Sequence, residues 1–240
     1  ILRYLRFYLN YSNHKHQSKV IKNIKKNVHG ISNISPERLI DELKKITSSK
    51  GFLKIFKDEE SLELIEIIFP QFKNIRNFKK MNSYAAENLL KVDFIFLISL
   101  LVIDGTDNAD YFLYKFKFSK KDQKRLKFID FFYKERVTLK NFTEKNLNKF
   151  FYFKGRQAVI DIINFKIFTS NKVDKKLFKL IDTYKEKQIP TFPVGADLLM
   201  SKFKIPEGKT LGNKLKKIEE IWVENGFQIS DKQVQQIVKS

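Results

Sequence analysis

The sequence has 240 residues and a formal net charge of +20, a balance that favours an acidic partner, most commonly nucleic acid. Hydrophobic residues make up 42% of the chain and 24 residues are phenylalanine, which argues against disorder. The absence of cysteine excludes disulfides and thiolate metal sites, and eight glycines and five prolines are too few for the tight turns of an all-β protein.

The first predicted helix begins with the chain itself, in ILRYLRFYLNY. Leu2, Leu5 and Leu9 recur at helical spacing and form an apolar stripe. Arg3 and Arg6 lie three residues apart and are predicted to share the opposite face, where two guanidinium groups form a fork suited to phosphate oxygens. Taken alone, the residues favour the alternative, in which both arginines pair with carboxylates or face solvent.

Two further helices are predicted in the next part of the chain. In residues 20–30 the apolar spacing ends at Gly30, in the position of a helix C-cap. In SPERLIDELKKI, Ser35 can cap a helix, Pro36 suits the first helical position, and Glu37 favours the positive end of the helix dipole. This segment is the clearest local signal in the sequence.

The rest of the chain continues the same apolar spacing. No alternation typical of strands persists, so the predicted fold class is all-α. The longest apolar run, residues 92–103, is too short to span a bilayer. The turn-rich residues 104–110 and 188–197 are candidate boundaries between subdomains. The later helices are predicted at residues 59–69, 89–103, 119–133, 143–153, 155–168, 172–187, 211–224 and 231–238.

Rows of lysines are predicted on several helix surfaces, where each ammonium could follow a phosphate backbone without reading bases. For any single lysine the alternative is an ordinary solvated position, and the lysine excess can also be compositional. His14 and His16 are two residues apart and would not share a helix face, so no metal site is predicted. The rows comprise Lys22, Lys25 and Lys26; Lys120, Lys121, Lys124 and Lys127; and Lys209, Lys214, Lys216 and Lys217.

Four stretches, in order, resemble class II tRNA nucleotidyltransferases, the family of CCA-adding enzymes and bacterial poly(A) polymerases. ILRYLRF resembles the sequence just after motif D, and SPERLIDELKKI resembles motif E. FFYFKGRQAVIDIINF is similar to a helical segment of the family's body, although its four leading aromatics are predicted to pack in the core. FPVGADLL with EGKTLGNKLKKIEEIW resembles the C-terminal signature, except that the usual glycine near Lys202 or Phe203 is missing.

The resemblance implies an all-α neck, body and tail whose catalytic α/β head would precede Ile1 and is absent here. The expected regions are a neck and RNA-binding region at residues 1–104, a body at 105–190 and a tail at 191–240. No stretch resembles the head's phosphate motif or its paired metal-binding aspartates, so no catalytic residue and no metal ligand is expected in this chain, and the chain alone is expected to be inactive.

The resemblance also implies roles for individual side chains. Arg3 and Arg6 would contact the incoming nucleotide, and the helix carrying Arg38 and Glu42 would support the nucleotide pocket. An ordinary surface pair of Arg38 and Glu42, four residues apart, is the alternative. Mg²⁺ with ATP or CTP would act in the full-length protein. RNA contacts, to the acceptor arm of tRNA through shape and phosphates, are expected from Lys22, Lys25, Lys26, Lys209, Lys214 and Lys217.

The expected function is therefore that of the RNA-binding part of a cytoplasmic tRNA nucleotidyltransferase, which extends tRNA 3′ ends with CTP and ATP or with ATP alone. No membrane partner is expected. The alternatives are a poly(A) polymerase of the same family, a non-catalytic basic helical module that binds RNA, and a helical scaffold for another protein. The sequence does not distinguish CCA addition from A addition, because that choice depends on templating residues and a head outside this chain.

Overall fold

The structure, a computed structural model, describes residues 1–135, 142–172 and 174–239. Within these residues every regular element is a helix and no strand occurs, which confirms the predicted all-α class. The predicted helix at 172–187 includes residue 173, which lies outside the described residues. In the part of the chain that is described, no helix is both long and apolar enough to cross a membrane.

The α-helices and 3₁₀ helices follow one another along the chain with short connections. The α-helices are α1 (Leu2–Tyr11), α2 (Ser18–Lys26), α3 (Pro36–Thr47), α4 (Glu59–Ile68), α5 (Ser83–Asn88), α6 (Phe94–Val102), α7 (Asn108–Lys115), α8 (Lys120–Lys134), α9 (Glu144–Lys154), α10 (Arg156–Thr169), α11 (Lys175–Glu186), α12 (Ala196–Phe203), α13 (Lys209–Glu224) and α14 (Asp231–Lys239). The 3₁₀ helices are Val28–Asn33, Lys50–Lys57, Ile75–Lys80 and Leu89–Lys91.

The chain divides into two compact units. The first comprises Ile1–Arg136 and Asp161–Phe178, and the second comprises Val137–Ile160 and Lys179–Ser240. The predicted boundaries at residues 104 and 190 stay a prediction.

The start of α3 matches its sequence signal. The Ser35 hydroxyl accepts a hydrogen bond from the backbone N–H of Arg38 at 3.4 Å, and Pro36 occupies the first turn. Leu39, Leu43 and Ile46 then bury one face of the helix. The cap, the proline and the apolar spacing act together, so the ends of this helix could be predicted locally.

Two local predictions were wrong. Gly30 does not cap a helix: α2 ends at Lys26, and Gly30 lies inside the 3₁₀ helix Val28–Asn33. The predicted helix over residues 89–103 is broken at Asp93, whose carboxylate accepts hydrogen bonds from the backbone N–H groups of Ile95 and Phe96 at 3.0 and 3.1 Å. A buried apolar run therefore begins with a polar cap that apolar spacing does not show.

An ion-pair network in the first unit joins three helices. Arg125 of α8 contacts the Asp93 carboxylate at the start of α6 at 2.6 Å, and contacts Asp161 of α10 at 2.6 Å. Asp161 is almost completely buried. Because a buried carboxylate is costly unless it is paired and hydrogen-bonded, Arg125 makes the packing of α6, α8 and α10 mutually dependent.

The N-terminal helix is held by a close backbone approach. α1 packs on α3 and on the 3₁₀ helix Lys50–Lys57, and Leu2, Leu5 and Leu9 are buried as predicted. A Cβ added at Gly51 would lie 2.2 Å from the carbonyl oxygen of Leu9. Only glycine fits there without moving the backbone, so Gly51 sets how α1 lies against its neighbours and thus where Arg3 and Arg6 point.

The second unit has a smaller core built largely from the C-terminal helices. Trp222 is buried, and its ring centroid lies 5.3 Å from that of Tyr152 and 5.1 Å from that of Phe227. In the aromatic stretch at residues 150–153, Phe151 is buried, which confirms core packing there, whereas Phe153 is 43% exposed. The apolar cluster of the last three helices comprises Val194, Leu199, Leu211, Ile218, Val234 and Ile237.

Candidate functional site

A cleft of about 530 Å³ lies in the first unit between the start of α1, the 3₁₀ helix Val28–Asn33 and α3. Arg3 lines it from α1, and Arg38 lines it from α3. These two side chains are 35 positions apart and come from the two N-terminal motifs. The packing of α1 on α3 therefore brings together residues that were singled out separately in the sequence.

The charged lining of the cleft mixes signs but is mainly basic. Arg3, Arg38 and Lys45 contribute cations, while Asp41 and Glu42 contribute carboxylates. Arg3, Arg38 and Lys45 are exposed. Lys45 is paired with Glu42, whereas the charged ends of Arg3 and Arg38 are available to a ligand that enters from solvent. Apolar residues, including Ile31, Ile34 and Leu39, complete the wall. A basic cleft with an apolar wall can hold a ligand that has both phosphate and ring surfaces.

Glu42 forms ion pairs with Arg6 and Lys45, not with Arg38, the partner that the sequence spacing suggested. Its Oε2 lies 3.1 Å from the Nε of Arg6, and its Oε1 lies 3.1 Å from the Nζ of Lys45. Arg38 also lines the cleft, but among the described residues it forms no ion pair with Glu42. The reason is tertiary: Glu42 is largely shielded, with 18% of its side chain exposed, and the packed α1 presents Arg6 to it. A support role for Arg38 and Glu42 stays a prediction.

Arg6 is held near the cleft rather than in its lining. Its guanidinium lies 5.1 Å from the centroid of the Phe7 ring. Arg6 Nε and Glu42 Oε2 are buried but not aligned for a hydrogen bond with each other, nor with any other described residue. A close charge contact without an aligned hydrogen bond leaves donor capacity on Arg6, so this arginine can accept an anionic partner by a small rearrangement.

A buried histidine, His16, contacts α1 through Tyr4 and Tyr8. Tyr4 Oη lies 2.7 Å from His16 Nδ1, and His16 Nε2 lies 2.8 Å from an oxygen of Asp58 and 2.9 Å from Ser61 Oγ. Tyr8 stacks on the imidazole with ring centroids 3.4 Å apart. Burial, followed by the nearby carboxylates, raises the pKa of both Tyr4 and Tyr8 above the ordinary value. Both phenols therefore stay protonated and can donate.

His16, Asp58 and Glu60 are close enough to one another to be considered as metal ligands. Both ring nitrogens of His16 already have protein partners, which explains its burial without an ion. Mg²⁺ prefers oxygen ligands in near-octahedral geometry, so this histidine-containing group does not fit it. In the cleft, Glu42 is already engaged by two cations. Neither location therefore matches a magnesium site.

The predicted RNA-binding lysines fall into different environments. Lys22, Lys26 and Lys209 are exposed. Lys25 is exposed and contacts Glu63 at 2.5 Å. Lys217 is exposed as well. Exposed lysines can turn toward a phosphate backbone, since an exposed ion pair is weak, about 0.2–1 kcal/mol.

Lys214 lies in a different position. It is partly buried, and its ammonium donates to the backbone carbonyl oxygens of Ile237 and Val238 at 3.4 and 2.5 Å. These carbonyls belong to the last turn of α14, where a cation is favoured by the helix dipole. Its assignment to RNA stays a prediction, but the structure gives this lysine a packing role that spacing alone does not indicate.

Part of this chain and its overall fold are each similar to known proteins. Residues 17–76 match a family model described as "Probable RNA and SrmB- binding site of polymerase A". This segment contains α2, α3, α4 and much of the cleft wall. No curated protein matches the sequence.

The fold is similar to that of a CCA-adding enzyme solved in complex with CTP. The TM-score is 0.56 and the sequence identity is 17%, and the similarity covers 99% of this chain and 58% of that enzyme. The chain thus spans less than two thirds of the length of that enzyme. Residues 17–76 are thus similar to an RNA-binding segment of polymerase A, and the fold of the chain is similar to that of this CCA-adding enzyme.

Proposed function

We propose that this chain is the RNA-binding and nucleotide-contacting helical part of a tRNA nucleotidyltransferase, which extends tRNA 3′ ends with CTP and ATP. The catalytic head, with its Mg²⁺ ligands, would belong to the same full-length protein. The observation that carries the proposal is the convergence of Arg3 and Arg38 in one basic cleft, next to Arg6. The family match and the 58% coverage of a CCA-adding enzyme support it.

In this proposal the cleft residues bind and orient the triphosphate. Arg3 and Arg38 are exposed in the lining and can donate several hydrogen bonds each to phosphate oxygens. Arg6 would exchange its poorly aligned contact with Glu42 for a phosphate oxygen. Mg²⁺ held by the head would supply charge neutralisation at the reacting phosphate. The residues of this chain would fix the nucleotide and exclude solvent from one side.

The surface lysines would hold the RNA. Lys22 and Lys26 are exposed on α2, inside the segment that matches the RNA-binding family model. Such point charges grip a phosphate backbone by its shape and leave the base sequence unread, which suits an enzyme that accepts many tRNAs. Poly(A) tailing by a member of the same family remains the alternative substrate choice.

The test separates nucleotide contact from RNA contact in the full-length protein. Arg3→Ala with Arg6→Ala should reduce nucleotide incorporation by more than about tenfold, because each arginine lost from a phosphate is worth about 1.5–3 kcal/mol. The dissociation constant for tRNA, from filter binding, should change by less than about twofold. Equal losses of incorporation and tRNA affinity would contradict the assignment.

The matched control removes the same charge elsewhere. Lys22→Ala with Lys26→Ala should weaken tRNA binding and lower its salt dependence, since fewer counterions are released, while incorporation at saturating tRNA stays unchanged. If instead the chain binds no tRNA at either low or high salt, the scaffold alternative gains and the proposal fails.

A further inference from the structure

The first unit contains a second cavity, of about 470 Å³, which shares no residue with the cleft. It lies between the 3₁₀ helix Ile75–Lys80 and the C-terminal ends of α6, α8 and α10. Its volume falls within the roughly 300–1,000 Å³ typical of small-molecule sites. Of the four stretches that carry the family resemblance, one contributes to its lining, through Phe165 at its end.

The apolar side of this cavity is aromatic. Phe78, Phe165 and Phe168 are buried with less than a tenth of each exposed, and they line it together with Tyr133, which is 43% exposed. Tyr133 packs edge-on against Phe165 with ring centroids 5.8 Å apart. A wall of buried rings with one exposed ring at the surface offers a face on which a flat heterocycle can stack.

The polar side of the cavity has amides with unused hydrogen-bonding groups. Asn74 is engaged, since its amide donates to the carbonyl oxygen of Ile103 at 2.5 Å and its oxygen accepts from Asn77 at 3.3 Å. The Asn77 side-chain oxygen and the whole Asn171 amide have no partner among the described residues. Two amides that can donate and accept suit the edge of a nucleobase.

The charges in the lining favour an anionic ligand. Lys80 and Lys166 line the cavity, no described carboxylate does, and neither lysine forms an ion pair within the described residues. The C-terminal ends of α6, α8 and α10 also border it, and each helix end carries about −0.5 charge. The two lysines therefore leave a small positive balance of about half a charge, which favours an anionic group such as a phosphate.

We propose that this cavity binds one unpaired nucleotide unit that carries a single phosphate. The base would stack on the aromatic wall, the amides of Asn77 and Asn171 would bind its edge, and Lys80 and Lys166 would contact the phosphate. The unit is either a free nucleoside monophosphate or a residue of a bound RNA strand, since the chemistry presented to the cavity is the same. The proposal goes beyond the function assigned to the cleft.

The first arm of the test measures free nucleotide. AMP and CMP are titrated calorimetrically into protein carrying Arg3→Ala, Arg6→Ala and Arg38→Ala, which lacks the three arginines that are proposed to bind phosphate at the cleft. Adding Lys80→Gln and Lys166→Gln should weaken binding by at least about tenfold, because each lysine–phosphate contact is charge-assisted. The control pair Lys73→Gln and Lys172→Gln removes the same charge from exposed positions outside the lining and should leave the affinity within about twofold.

The second arm measures RNA in the same backgrounds. A short single-stranded RNA containing 4-thiouridine is photocrosslinked, and the attachment site is mapped by mass spectrometry. Crosslinks at Tyr133 that disappear in the Lys80 and Lys166 variant, without measurable AMP or CMP binding, would identify the occupant as an RNA residue. Mononucleotide binding that depends on the two lysines would identify a free nucleotide.

The proposal is overturned if the two lysine substitutions change neither the affinity for AMP and CMP nor the crosslink at Tyr133, while thermal melting shows that the variant is folded. It is also overturned if the control pair Lys73→Gln and Lys172→Gln weakens binding as much as Lys80→Gln and Lys166→Gln do. Filter binding of tRNA, which depends on the surface lysines, would persist in either case. Failure at this cavity is therefore distinguishable from failure of the proposed function.

Discussion

Two regions of the molecule carry stretches that resemble the same family, and the structure places their side chains in different surroundings. In the N-terminal region, α1 and α3 bring charged side chains of two motifs into one cleft. In the C-terminal region, the signature residues of α12 and α13 form an apolar cluster with α14, and Trp222 is buried against aromatic rings. Stretches that resemble one family can thus line a cleft in one region and form a packed core in another.

The largest expected effect belongs to the packing motif. Trp222→Ala should lower the free energy of unfolding by about 3–5 kcal/mol, because it removes a buried indole that contacts Tyr152, Phe192 and Phe227. Urea unfolding followed by circular dichroism measures this loss. A cost below about 1 kcal/mol would show that the C-terminal stretch does not act mainly through packing. The difference drawn between the N-terminal and C-terminal regions would then be wrong.

A smaller effect is expected in the cleft region. Glu42→Ala should destabilise the protein by about 1–3 kcal/mol, because it removes the close partner of the partly buried Arg6. Under the proposed function it should also alter nucleotide incorporation by the full-length protein, which Trp222→Ala should affect only through the amount of folded protein. Glu42→Gln, which keeps the size and loses the charge, is the control. Unchanged stability in both variants would show that the contact with Arg6 contributes nothing.

The next effect concerns a lysine that sequence reasoning assigned to RNA. Lys214→Met should cost about 0.5–1.5 kcal/mol, because it removes a donor to two carbonyl oxygens at the end of α14. The matched control is Lys209→Met, at an exposed position in the first turn of α13, the helix that also carries Lys214. This control should leave stability unchanged. A greater loss of tRNA affinity at Lys214 than at Lys209 would reverse the packing assignment.

The smallest effect at neutral pH is expected at Tyr152. Burial, followed by its hydrogen bond to Glu219, raises the pKa of Tyr152 to about 12. Because the folded state holds this proton more tightly than the unfolded state, the contribution is fully present below pH 10 and is lost as pH rises toward 12. Tyr152→Phe should flatten the decline of melting temperature over this range. An identical decline in both proteins would assign the alkaline loss to other groups.

Local signals predicted much of the helical structure. The cap at Ser35, the apolar stripe of α1 and the burial of Trp222 follow from residue type and spacing. The prediction of a continuous helix through Asp93 failed, because a capping carboxylate competes with helical continuation and periodicity does not detect it. The prediction that Gly30 caps a helix failed for a similar reason. Gly30 lies inside a 3₁₀ helix, and apolar spacing does not distinguish short helix types.

The candidate site was predictable only as a set of residues. Arg3, Arg38 and Glu42 were singled out by motif, and the structure places all three in one cleft. The partners of His16 were missed, because Asp58 and Ser61 lie more than 40 positions away and no local pattern links them. The cavity beside Lys80 was missed for the same reason, since its wall comes from four separate segments.

The sequence by itself determined that the chain is helical and basic, because these properties depend on residue type and near-neighbour spacing. Only the tertiary structure decided which charges are matched. Spacing pairs Glu42 with Arg38, one helical turn away, but the packing of α1 on α3 pairs it with Arg6, 36 positions away. Charge pairing depends on distance in space and on burial, and a linear pattern contains neither.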